Sequence, residues 1–241
     1  MTMDNRRLRY LKRMGIELWV PRGQAAAEHE PPAAEPAAAA AAPDSTPSER
    51  ADAGWSWEEL EHAIRTCTAC RLHETRTQGV VGVGDRSARL MVIGEAPGAE
   101  EDRKGEPFVG RAGQLLDQML RAIGLSRHDG GVYITNILKS RPPRNRDPMA
   151  DEVAACEPYL RRQLELVRPA VILAVGRVAA QNLLKSDAPL GRLRGRWHQY
   201  GPEGTPVWVS YHPAYLLRSP ADKAKAWQDL KRVRDQVGGN A

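Results

Sequence analysis

The sequence predicts an α/β fold, a three-layer α/β/α arrangement around a central four-stranded parallel sheet. Two observations predict it. Short apolar runs recur at Leu90–Ile93, Val132–Leu138, Val171–Val175 and Val207–Ser210. The segments after them carry apolar residues at helical spacing. Strands that are apolar on both faces and alternate with helices form parallel sheets covered on both sides.

In chain order, residues 1–22 place Leu8, Leu11, Met14, Ile16 and Trp19 among six Lys/Arg and two Asp/Glu. They read either as a solvated tail or as an amphipathic docking segment for a protein or DNA. Residues 23–53 are Ala/Pro/Glu-rich, with six alanines at Ala37–Ala42 and one Arg against six acids. Such a composition cannot bury a core, so a disordered linker is expected. The folded domain is expected to span 54–241. Ser56 and Glu59 form a capping-box pattern that opens a helix running toward Cys67.

The first strand, ending at Gly94, empties into a loop with two glycines, Gly94 and Gly98, and the acids Glu100, Glu101 and Asp102. Leu115, Leu116, Met119, Leu120 and Ile123 then fall at helical spacing, and Gly124 suits the stop. The second strand leads to a helix at about 150–167, which Pro158 is expected to disturb. The third strand precedes a helix at about 177–185. The fourth runs into Tyr211-His212-Pro213, and a helix bearing Trp227, Leu230 and Val233 closes the chain.

The formal net charge is +5, and residues 54–241 carry +6 of it against −5 in the linker. A modestly basic domain is compatible with nucleic acid. No apolar run approaches a membrane helix, and no signal-peptide pattern is present, so a cytoplasmic protein without a membrane partner is expected. Three cysteines in such a chain argue against a disulfide framework and allow a metal or cluster.

In parallel sheets the ligand sits at the carboxyl ends of the strands. That rule gathers residues far apart in sequence: Glu95 to Glu101, Asn136 and His212. Neither GxGxxG nor a glycine-rich loop followed by lysine occurs at the first strand, which speaks against a phosphate-cradling site.

GEAPGAEEDRKGEPFVGRAGQLLD, ITNILK, RPPRNR and HPAYLLR together resemble the family four uracil-DNA glycosylases, iron–sulfur enzymes of bacteria and archaea, over roughly residues 54–236. The resemblance implies hydrolysis of the uracil–deoxyribose bond in uracil-containing DNA after base flipping, in base excision repair. It implies that Phe108 stacks on the base, that Asn136 reads its edge, and that the Ala96 backbone adds a hydrogen bond. It implies His212 near uracil O2, with Glu95, Glu101 and Asn145 as candidates for handling water or excluding thymine. Which acid does which job stays open.

For DNA contact, Lys139, Arg141, Arg144 and Arg146 concentrate charge for phosphates. Tyr215, Leu216 and Leu217 suggest an exposed apolar tip that fills the gap left by the base, and Arg218 a flanking phosphate contact. A non-catalytic or abasic-site-trapping DNA-binding module is the competing function. The expected oligomeric state is a monomer.

The family's cluster has four cysteine ligands. Cys67, Cys70 and Cys156 match three of them, and Ser140 stands at the fourth. Thiolate is favoured over an alkoxide at iron–sulfur sites. Three alternatives stay open: a labile four-iron cluster with Ser140 as ligand, a three-iron form without it, or structural cysteines and no cluster.

Overall fold

The computed structural model describes residues 54–238. The segment at 1–22 and the linker at 23–53 lie outside the described residues.

Among the described residues six strands form one sheet: β1 Val83–Gly84, β2 Leu90–Gly94, β3 Val132–Asn136, β4 Val171–Val175, β5 Trp197–Tyr200 and β6 Thr205–Ser210. Their spatial order is β1-β3-β2-β4-β6-β5. The four central strands are parallel, as expected. The sheet is nevertheless mixed, because β1 and β5 add antiparallel edges. These edges correct the four-strand expectation. β1 has only two residues, and β5 (Trp197-His198-Gln199-Tyr200) alternates exposed and partly buried residues, so neither shows an apolar run.

Every residue of β2, β3 and β4 is buried. Leu90 and Val92 point into one core with Val171, Leu173 and Trp208. That core is covered by helices α3 (Arg111–Arg121), α7 (Pro213–Arg218) and α8 (Lys223–Gly238). Met91 and Ile93 point into a second core with Ile172, Ala174 and Val209. There the covering helices are α4 (Ala150–Val167) and α5 (Arg177–Leu184). This division of one strand between two cores makes the three layers.

Helix α1 (Trp57–Thr66) opens on the full capping box, with Glu59 N–H donating to Ser56 Oγ and Ser56 N–H to the Glu59 carboxylate. Its last helical residue precedes Cys67. Pro158 lies inside α4 without ending it. The acids after β2 are not in a loop: they form α2 (Ala99–Lys104), with Gly98 at its N-cap and a left-handed Gly105 at its end. Acids in its first turn and bases in its last suit the helix dipole. The remaining short helix, α6, covers Leu190–Leu193. Among the described residues no helix is long and apolar enough to cross a membrane.

Candidate active site

Parallel strands end together, so β2, β3 and β6 deliver Gly94, Asn136 and His212 to one edge of the sheet. Gly94 pairs in register with Asn136. A Cβ on Gly94 would lie 2.4 Å from Asn136 Oδ1 and 2.5 Å from Phe108 Cζ. The missing side chain is therefore the space in which the Phe108 ring and the Asn136 amide meet. The ring centroids of Phe108 and His212 are 5.6 Å apart.

Asn136 is 4% exposed, and its Oδ1 is a buried acceptor without a hydrogen-bond partner. Such an atom is costly unless a ligand completes it. Its backbone is fixed from below. Lys139 Nζ, fully buried, donates to Asn136 O at 2.7 Å, Thr135 Oγ1 at 2.8 Å and Gln163 Oε1 at 2.6 Å. Burial lowers the Lys139 pKa to about 7, while three acceptors match the three protons of the ammonium. Lys139 is thus not a phosphate contact, contrary to expectation.

His212 caps α7, its Nδ1 accepting the Ala214 N–H at 3.1 Å. Burial, then Arg218, lowers its pKa to about 4, opposed by Glu101. The ring is therefore neutral near pH 7. With Nδ1 accepting, the single proton is on Nε2, which is left as a donor.

The acids divide by role. Glu101 Oε1 accepts the N–H groups of Val109 and Gly110, both at 3.0 Å. Asp102 is buried and accepts the Thr77 N–H and hydroxyl. Glu100 pairs with Arg103 at the surface. Glu95 is partly buried, and among the described residues no hydrogen bond holds its carboxylate. Burial, then Asp147, raises its pKa. Ala96 packs toward Leu138 and Cys156.

Asn145 is exposed on a left-handed turn and accepts Arg141 Nε at 2.8 Å. Arg146 is committed to the buried Glu152 through two hydrogen bonds, which anchors the start of α4 rather than freeing a cation for phosphate. Arg144 is exposed. The apolar tip needs correcting: Leu216 is 1% exposed and in the core, because α7 turns Pro213 and Leu216 inward together. Tyr215 stacks on Tyr211 and donates to Asp222. Leu217 alone of the three is exposed, with Arg218 beside it.

Behind the site, the three cysteines gather at one corner. Cys70 and Cys156 pack with Leu72 and Leu138. Cys67 Sγ accepts the Ala69 N–H and Cys156 Sγ the Lys139 N–H, both at 3.5 Å. Burial raises the Cys156 thiol to about 11 and also raises Cys70. Among the described residues no three His, Cys, Asp or Glu side chains converge as ligands of a single ion. A four-iron cube binds each thiolate at a different iron and so spreads its ligands, and amide N–H groups directed at the sulfurs suit such thiolates. The cysteines fit a cluster at three positions. Ser140 fits less well: its Oγ already accepts Arg76 Nη1 at 2.7 Å, while Arg76 Nη2 donates to Cys67 O at 2.8 Å.

Sequence reasoning missed Arg127. It is 7% exposed and donates from Nη1 to Pro107 O, from Nη2 to Phe108 O and from Nε to Asp117. An isolated basic residue after a helix carries no local pattern that would mark it.

A family model described as the uracil DNA glycosylase superfamily matches residues 81–231. The chain is 46% identical over 189 residues to a type-4 uracil-DNA glycosylase of Archaeoglobus fulgidus, covering 76% of this chain and 94% of that one. It is 41% identical over 183 residues to a type-4 uracil-DNA glycosylase of Thermotoga maritima, covering 75% and 94%. A type-5 uracil-DNA glycosylase of Pyrobaculum aerophilum is 39% identical over 146 residues, covering 55% and 64%.

Proposed function

The chain belongs to the uracil DNA glycosylase superfamily, and from that premise we propose that it hydrolyses the bond between uracil and deoxyribose in DNA, leaving an abasic site for repair. The observation that carries the proposal is the orphaned Asn136 oxygen beside the Phe108 ring. An aromatic face and an unpaired amide are what a flipped base needs: a surface to stack on and an edge to read it.

Uracil stacks on Phe108. Asn136 Oδ1 accepts its N3–H, the amide NH₂ donates to O4, and the Ala96 backbone adds a further hydrogen bond. Water adds its oxygen to C1′. The C1′–N1 bond breaks and its electron pair goes to uracil. His212, neutral with its proton on Nε2, donates to O2 as negative charge develops there, which stabilises the transition state. Glu95 positions the water and takes its proton. Its raised proton affinity suits that task, and its negative charge stabilises the cationic sugar. Glu101, with one oxygen bound by two backbone N–H groups, shapes the pocket instead. Arg144 and Arg218 face the phosphates, and Leu217 fills the gap left by the base.

Cys67, Cys70 and Cys156 would hold an iron–sulfur cluster, and Ser140, whose Oγ accepts from Arg76, stands where the family has its fourth cysteine. Bound by these residues, it would tie the segment after α1 to α4 as a structural brace and would supply no chemistry at the base.

A labelled oligonucleotide with one uracil, and a thymine control, tests the reading through strand cleavage after alkali. Cleavage at uracil alone is expected, and its loss in Asn136→Ala and His212→Ala. Tight binding without cleavage would overturn it in favour of a non-catalytic DNA-binding module.

A further inference from the structure

Phe108 is a non-glycine residue with φ of 54°. A bulky side chain adopts this left-handed conformation only where its surroundings impose it. Two charged groups impose it here, on opposite polarities of one short backbone stretch. The Arg127 guanidinium binds the Pro107 carbonyl at 2.9 Å and the Phe108 carbonyl at 3.0 Å. The Glu101 carboxylate binds the next two N–H groups. Arg127 is in turn oriented by Asp117, on α3, through Nε at 2.7 Å. Its side chain is 4% exposed, whereas that of Asp117 is 34% exposed. A planar fork with fixed donor directions holds two adjacent carbonyls in one relative orientation, which a single ammonium cannot do.

We infer that Arg127, oriented by Asp117, is a positioning residue for excision: it locks the Phe108 backbone in the left-handed conformation that lays the ring over Gly94 and against the Asn136 amide. The inference rests on reading Phe108 as the stacking platform. Arg127 touches no substrate, so all of its effect on the reaction passes through Phe108. Without the fork, residue 108 relaxes toward ordinary backbone angles and the ring leaves the base.

The test is a double-mutant cycle on single-turnover excision, with inhibition by free uracil as a second readout. Phe108→Ala and Arg127→Met are each expected to slow excision by about 10- to 100-fold, the range of one lost base stack. Both should weaken inhibition by free uracil in parallel. The double variant should be no slower than Phe108→Ala alone. Asp117→Asn, at the more exposed end, should show a smaller loss with the same dependence on Phe108, and it carries the cycle if Arg127→Met does not fold. Losses that multiply in the double variant would overturn the inference and leave Arg127 a purely structural residue. If Phe108→Ala excises at the native rate, the stacking reading itself fails and the inference with it.

Discussion

Asn136 keeps a buried oxygen without a partner, and this makes stability and activity separable at one residue. Removing an unsatisfied buried acceptor costs little stability, since there is no native hydrogen bond to lose. Asn136→Ala should therefore melt within a few degrees of the native protein while excising uracil about 100-fold more slowly or worse. A melting temperature that falls in step with activity would show that Asn136 is structural. Gly94 makes the converse case. Its φ is not positive, so alanine suits the backbone. The added Cβ meets the Phe108 ring and the Asn136 amide instead. Gly94→Ala should cost about 1–3 kcal/mol from overpacking and remove nearly all excision. Measured denaturant midpoints and single-turnover rates decide it, and near-native excision would mean the pocket has slack. These residues were legible in the sequence because strand ends gather in a parallel sheet. The difference between Glu95, whose carboxylate has no hydrogen bond among the described residues, and Glu101 was not, because it depends on α2 turning Glu101 toward the Val109 and Gly110 amides.

At the level of elements, what the sequence revealed follows burial. β2, β3 and β4 are buried on both faces and so read as apolar runs, whereas the edge strands face water and read as loops. Helix α2 has only six residues, too few for an apolar period, and its caps and charges were the only signal. In α7 the run Tyr215-Leu216-Leu217 suggests an apolar tip, yet a helix spreads consecutive residues around its axis and sends Leu216 inward. The corner formed by the end of α1, the segment after β3 and α4 bears the chemistry least settled by pattern, because Ser140 stands where the family resemblance places a cysteine. Ser140→Cys should retain iron longer in air, with Arg76 still held by the carbonyls of Arg65 and Cys67. Iron and acid-labile sulfide, followed over time with the visible absorption, check this independently of excision. Equal iron loss from both proteins would show that Ser140 is not at a ligand position.

For the molecule as a whole, His212 ties folding stability to pH. Its pKa is 6.5 in the unfolded chain and about 4 in the folded one, lowered first by burial and then by Arg218. Between these values the unfolded state binds a proton that the folded state does not. Stability from this residue is therefore full above about pH 6.5, falls as the pH drops, and is fully lost below about pH 4. A shift of this size corresponds to at most about 3 kcal/mol, reduced because the ring is partly exposed. Carboxylates titrate in part of the same range, so the informative quantity is a difference between two proteins. His212→Asn lacks the titration and keeps a polar side chain at the cap of α7. Chemical denaturation of both proteins at about pH 7 and about pH 4.5 should show the native protein losing more stability than the variant on acidification. The same proton enters at Nδ1, where it ends acceptance from the Ala214 N–H and loosens the start of α7. A difference between the two proteins that stays constant across the range would mean that His212 titrates alike folded and unfolded, and that burial does not hold the ring neutral below about pH 6.5.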